Sequence, residues 1–331
     1  MEIVMKMSKL GITLAIVLVM VTSAVCAQTT FKLSHVRPLG TPTDIDMQKF
    51  AAEVAKGTNG RLTIKLFPAS QLGNYTVVQE RVGLGDIEMQ LAPVGTNITK
   101  ALGIVTAPYI VETFEQIPVV FDHKGKMMIA VTKLFEKEGI KVLGLYPKYF
   151  GGVALSKMPN DPKGTGNKGM KVRVPGIKSF EKTAEALGYQ ATPIAFSEAF
   201  TSWQTGIVDG AIGSGAEGYW GSFKDLTKVY LPTNSHLEMW FLYVSIDSFK
   251  KLSPADQKVL VDAGLAMEKA RYAAAANETA EYEGLLQKNG TQVVKFTPAE
   301  LKAIADTVKA KVWPQIKGDY GVELFDSVTA K

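Results

Sequence analysis

The sequence predicts an α/β protein folded as two lobes, and three observations carry that expectation. With 331 residues the chain has room for two cores at about 100–200 residues per domain. Strand-like and helix-like patterns alternate along most of its length, the order that builds largely parallel sheets flanked by helices. Residues 254–288 read as a single helix, about 50 Å long at 1.5 Å per residue and so able to run across both lobes.

Lys6 and Lys9 precede an apolar run from Leu10 to Val21, and the small residues Ser23, Ala24 and Ala27 follow. A positive start, a short apolar stretch and a small-residue exit describe a secretory signal peptide over residues 1–27, cleaved after Ala27. The run is shorter than the roughly 20 residues that span a bilayer. Val25 stands before Cys26, where a lipidated bacterial N-terminus would carry a small residue. Cys26 is therefore expected to leave with the signal peptide rather than to carry a lipid. It is the single cysteine, so the exported part holds no thiol, as suits an oxidising compartment.

Residues 30–36 read as a strand, and a helix follows from Thr43, with Thr43 and Asp46 as a capping box. Leu62, Ile64 and Leu66 alternate with Arg61, Thr63 and Lys65, the pattern of a half-buried strand. A helix at 75–83 leads into a strand at 87–92. A second cycle runs through helix 124–138, strand 140–146 and a Gly/Pro/Asn-rich stretch at 158–169. It continues as strand 170–174, helix 177–187, strand 190–194, helix 197–206 and strand 207–212. Ser197 reads as the N-cap of the helix at 197–206, with Glu198 at its positive end. Residues 238–246 form a long apolar strand. Ser253 and Pro254 open the long helix, whose weak points are Gly264 and Gly284, and Thr297 to Glu300 open a last one with a capping box.

Composition excludes several classes. At 46% hydrophobic and 21% charged the chain is globular rather than disordered. One Cys and three His exclude a disulfide scaffold, a zinc ribbon and an iron–sulfur site, so no metal and no cofactor are expected. The net charge of +5 is small, and acidic residues are interspersed with the lysines, so no nucleic-acid partner is expected. Gly164 to Gly169 spell GxGxxG but precede a strand instead of following one, which makes them a loop and not a dinucleotide site. No HExxH, GxSxG or DxDxDG stands in the chain, and no catalytic residue is expected.

The most informative stretch is 169–210, GMKVRVPGIKSFEKTAEALGYQATPIAFSEAFTSWQTGIVDG. It resembles the hallmark region of the solute-binding proteins of tripartite ATP-independent periplasmic (TRAP) transporters, the DctP family. His35-Val36-Arg37-Pro38 with Thr41-Pro42, Phe67 to Gly73 (FPASQLG), Thr233 to His236 and Leu252-Ser253-Pro254 are similar to further family elements in the family's order. The resemblance covers essentially the whole mature chain. It implies a two-lobed, Venus-flytrap periplasmic binding protein with crossing strands and a long helix spanning both lobes. Lobe I is expected at 28–148 with about 239–278, and lobe II at 149–238 with about 279–331. It also implies a monomeric receptor in the periplasm that captures a small organic acid in the cleft. The receptor would deliver it to the small and large membrane subunits of a TRAP permease, without chemistry on the ligand.

Arg173 is the central site candidate. Met170, Val172 and Val174 take one face of their strand, and Lys171 and Arg173 the other. The family's arginine in this element pairs with the ligand carboxylate, a role that suits the planar guanidinium fork. Two further family contacts are replaced: Gly151 stands where many relatives carry a second arginine, and Ala211 to Ser214 where many carry Q-E-N-P. The departures point to a small, simple acid, a carboxylate or a short sulfonate, and weaken a sialic-acid assignment, with a sugar acid as the alternative. Lys148, Tyr149 and Ser214 are candidate replacements, with Glu217 shortly after them. Phe196, Trp240 and Phe241 are candidate walls, and Phe241 serves equally well as core. Asn74 and Tyr75 are candidates from the first lobe, with Arg37 as a second cation. The competing classes are an exported two-lobed enzyme, which would need an acid/base pair in the cleft, and a ligand receptor for a signalling partner.

Overall fold

The computed structural model describes residues 28–330; the expected signal peptide, its cleavage site and Cys26 lie outside the described residues. The chain begins with β1 (Thr29–His35), α1 (Pro42–Gly57), β2 (Leu62–Phe67), α2 (Tyr75–Gly83) and β3 (Met89–Ala92). A short α3 (Ile117–Val120), α4 (Lys126–Lys137), β4 (Ile140–Phe150) and β5 (Gly152–Leu155) follow. Next come β6 (Lys171–Val174), α5 (Lys178–Ala186), β7 (Gln190–Pro193), α6 (Phe196–Gln204), β8 (Gly210–Ser214), α7 (Ala216–Phe223) and β9 (Val229–Leu231). The last elements are β10 (Leu237–Ser245), α8 (Ile246–Lys250), α9 (Pro254–Lys288), β11 (Gln292–Val293), α10 (Pro298–Tyr320) and α11 (Val322–Thr329).

The strands form two sheets, ordered β2-β1-β3-β10-β4 and β11-β9-β5-β8-β6-β7. Both are mixed, a correction to the largely parallel sheets expected from strand–helix alternation. The late strand β10 inserts antiparallel between β3 and β4, and β5 runs antiparallel between β8 and β9. Parallel pairing survives where helices intervene, in β1 with β2 and β3 and in β6 with β7 and β8.

Three connections join the sheets. The chain passes from β4 to β5 at Gly151 and returns between β9 and β10 through residues 232–236. These crossings lie side by side: Gly151 N donates to His236 O at 2.8 Å and Ser235 N to Gly151 O at 3.0 Å. The third is α9. Its Leu260 and Met267 join Leu143 and Tyr146 in the core of the first sheet, and Tyr282 and Leu286 join Tyr219 and Phe223 beside the second. Gly264, expected as a weak point, is a packing contact instead: a Cβ there would lie 2.6 Å from Leu143 O, so only glycine lets the helix lie this close to β4. The C-terminal helices touch both halves, α10 packing on α5 and on the helical turn at 100–106, and α11 on α4.

Local signals explain the clearest elements. Ser253 Oγ accepts from Asp256 N at 3.1 Å, with Pro254 opening α9, and the Thr297–Glu300 capping box closes both its bonds. Two other caps differ from expectation. The N-cap of α1 is Thr41; Thr43 is buried and accepts from Lys148 Nζ at 2.7 Å. The N-cap of α6 is Ala195, because Phe196 takes the first helical position and packs edge-on against Phe223. β4 runs to Phe150 instead of ending at 146, which carries Lys148 and Tyr149 into the sheet. Among the described residues no helix is long and apolar enough to cross a membrane.

Candidate functional site

Where the sheets face one another they enclose a cavity of about 20 Å³, room for about one water molecule. Arg37, Tyr75, Glu238 and Trp240 line it from the first sheet and its loops, and Arg173, Phe196 and Ser214 from the second. Topology brings them there. Arg37 follows β1, and Tyr75 opens α2. Glu238 and Trp240 share one face of β10 at spacing two. From the other side Arg173 lies on β6, Phe196 opens α6 and Ser214 ends β8.

Arg173 is only 3% exposed. The strand alternation puts Val172 and Val174 in the core and turns the guanidinium into the cavity. Its Nε donates to Ile194 O at 2.9 Å, and its Cζ lies 5.6 Å from the Phe196 ring centroid. Among the described residues no carboxylate forms an ion pair with it, and burial draws its pKa below the ordinary arginine value despite Tyr75, Tyr219 and Glu238 nearby. Gly213, at φ 115°, leaves it space: a Cβ there would fall 3.0 Å from Pro175 and 3.5 Å from Arg173 Nη1.

A buried charge cluster stands behind the cavity. Arg37 Nη2 donates to Tyr149 OH at 2.5 Å, and Arg37 Nε lies 3.6 Å from Glu217 Oε2. Lys148 Nζ lies 3.0 Å from the same oxygen. Both are charge contacts, and the Lys148 one is at hydrogen-bond distance. Burial pushes the Glu217 carboxyl up, but Lys148 and Arg37 outweigh it and hold the group below its ordinary value. Burial draws Lys148 down to about 8, with Glu217 opposing. The aromatic walls also receive these cations: Arg37 lies 5.0 Å from the Trp240 ring and Lys148 5.1 Å from it.

Sequence reasoning missed Glu238. It is 6% exposed, its Oε1 accepts from Trp240 Nε1 at 2.7 Å, and its Oε2 lies 3.6 Å from His236 Nε2. Burial pushes this carboxyl up to about 7, with the Trp240 hydrogen bond, Arg37, Lys148 and Arg173 pulling the other way. His236, drawn down to about 3 by burial, is neutral. The signal that could have found Glu238 is its spacing of two from Trp240 at the head of an otherwise apolar strand.

Of the residues expected at a site, Arg173, Phe196, Ser214, Trp240, Tyr75 and Arg37 line the one cavity. Tyr149, Lys148 and Glu217 form the layer behind it. Asn74 donates to Thr76 Oγ1 at 2.8 Å on the rim of an outer opening that Tyr75, Arg173 and Phe196 also line. Phe241 belongs to the core, 5.3 Å from the Phe135 ring, because its place on β10 faces away from Trp240. A larger groove of about 840 Å³ between α1 and α9 holds none of the expected residues. Among the described residues no three His, Cys, Asp or Glu side chains are grouped to hold a metal ion.

The family described as bacterial extracellular solute-binding protein, family 7 (DctP), has a model that matches residues 33–317. A solute-binding protein of Roseobacter denitrificans is 25% identical over 299 residues, covering 89% of this chain and 91% of that one. The C4-dicarboxylate-binding periplasmic protein DctP of Rhodobacter capsulatus is 27% identical over 308 residues, covering 90% of each. Among solved structures, a TRAP periplasmic solute-binding protein from Polaromonas sp. JS666, bound to D-erythronate, superposes with a TM-score of 0.82. It is 26% identical and covers 92% of this chain and 99% of that chain.

Proposed function

The chain belongs to family 7 of the bacterial extracellular solute-binding proteins, the DctP family, and on that premise we propose that it is a periplasmic receptor for a small organic anion. The anion binds in the cleft between the two sheets and passes from there to a TRAP-type membrane permease. The observation that carries this is Arg173: a buried guanidinium in the cavity wall with no carboxylate of its own. Burial of an unpaired charge is costly, and an entering carboxylate offsets that cost through two parallel N–H···O bonds. The dicarboxylate-binding relative and the erythronate-bound structure support an acid as ligand.

The cycle we infer is hinge closure. Lobe I comprises residues 28–148 with about 239–278 and lobe II residues 149–238 with about 279–331. Sheet membership supports this in outline, with β4 to Phe150 and β10 from Leu237, Glu238 included, belonging to the first sheet. The paired crossings at Gly151 and His236 are the natural hinge, with α9 as the outer strap. A ligand that touches Arg173 on one side and Tyr75 and Trp240 on the other binds the closed state better and shifts the population towards it. Closure strengthens the Arg173 pair by excluding water.

The test is a thermal-shift screen of the mature protein against carboxylates, short sulfonates and neutral sugars. A ligand at 100 times its Kd stabilises by about 2.7 kcal/mol, and acids alone are expected to do so. Stabilisation by neutral sugars and by no acid would overturn the reading.

A further inference from the structure

Glu238 has no part in anchoring an anion, yet it is the one acidic residue in the cavity wall. The other buried acid nearby, Glu217, is engaged by Arg37 and Lys148. Trp240 Nε1 fixes the orientation of the Glu238 carboxylate and occupies one of its roughly four acceptor sites. Its second oxygen has only His236 Nε2 at 3.6 Å, beyond hydrogen-bond range, and that nitrogen is itself without a hydrogen-bond partner. Glu238 and Arg173 come from opposite sheets and form no ion pair with each other. The cavity thus offers a guanidinium without a carboxylate on one wall; on the other stand Arg37, faced by Glu217, and a carboxylate with spare acceptor capacity.

We propose that Glu238 is a specificity-determining residue: it accepts a hydrogen bond from an O–H of the ligand whose carboxylate pairs with Arg173, and it rejects a second carboxylate there. The ligand class is a monoanionic acid carrying hydroxyl groups. The proposal rests on the cleft being an organic-anion site. A site built to bond a donor discriminates against the analogue that lacks it, because the buried acceptor then stays unpaired. A dicarboxylate meets like charge in a low-dielectric cavity, which is more costly still. Tyr75 OH and Ser214 Oγ, from the same wall residues, can serve either kind of oxygen and so do not discriminate.

The experiment is calorimetric titration of the mature wild type and Glu238→Gln with two length-matched series, erythronate, butyrate and succinate, then gluconate, hexanoate and adipate. It is run at about pH 8, where a carboxyl with a pKa of about 7 is mostly ionised. At one or both lengths the wild type is expected to favour the hydroxylated acid over the other two by about tenfold or more. Glu238→Gln keeps an acceptor for Trp240 and is expected to lose at least half of the discrimination against the dicarboxylate on a logarithmic scale. Thermal unfolding confirms that the variant is folded. Preference of the wild type for succinate or adipate, or an unchanged ratio in the variant, overturns the proposal while leaving the anion site standing. Failure of every acid to bind the wild type overturns the anion site, and this proposal with it.

Discussion

Gly151 and His236 meet where the two sheets exchange strands: Gly151 N donates to His236 O at 2.8 Å, and the His236 ring fills the space a Cβ on Gly151 would need. Position 151 is thus closed to the second arginine that the resemblance leads one to expect. No side chain at position 151 fits while His236, packed edge-on against Phe180, keeps its place.

Gly151→Ala is expected to destabilise the protein by about 1–3 kcal/mol, the usual cost of overpacking. Urea denaturation checks it. Adding His236→Ala is expected to recover part of the loss, since the two substitutions share one contact.

Two glycines of α9 are expected to respond with opposite sign. Gly264→Ala drives a methyl into Leu143 O and is expected to lower the urea midpoint. Gly284 has nothing within 4 Å of an added Cβ, so Gly284→Ala is expected to raise stability by about 0.5–1 kcal/mol through helix propensity.

Glu217→Gln leaves Arg37 and Lys148 buried without their counter-charge. A loss of about 3–5 kcal/mol is expected, as for breaking a buried pair from one side. The double variant Glu217→Gln/Lys148→Met is expected to lose less than the two single losses combined, which a double-mutant cycle measures.

The Glu238 carboxyl has an ordinary value of 4.5 and a folded value of about 7, so the folded state holds a proton that the unfolded chain has released. Its contribution to stability is fully present below about 4.5 and is lost as pH rises through about 7. The Trp240 hydrogen bond, Arg37, Lys148 and Arg173 oppose the shift without reversing it, and the neutral His236 faces the second oxygen. Glu238→Gln mimics the protonated form. Its stability relative to wild type is expected to rise by about 2–3 kcal/mol between pH 5 and 7.5, as urea titrations at both pH values would measure.

What could be read before the structure follows from how local each signal is. The ends of α9 and α10 depend on Ser253, Pro254, Thr297 and Glu300, residues within one turn of the helix they start, and they were legible. The place of Arg173, on the strand face opposite Val172 and Val174, was legible because strand alternation separates them. The insertion of β10 between β3 and β4 was not, since it depends on residues some 90–150 positions apart. β5 and β9 are four and three residues long, too short for a periodic pattern. Glu238 was missed because one acid at a strand end reads as solvent-exposed, whereas the fold leaves it only 6% exposed, among Trp240, His236, Arg37 and Arg173.

Whether Arg173 anchors the ligand is tested by calorimetric titration of the mature wild type, Arg173→Lys and Arg173→Ala with the acid that most stabilises the wild type. Arg173→Ala is expected to weaken binding by about thirtyfold or more, the 2–5 kcal/mol typical of truncating a buried charge pair. Arg173→Lys, with charge but no fork, is expected to fall between. Equal affinity in all three proteins would remove Arg173 from the binding site.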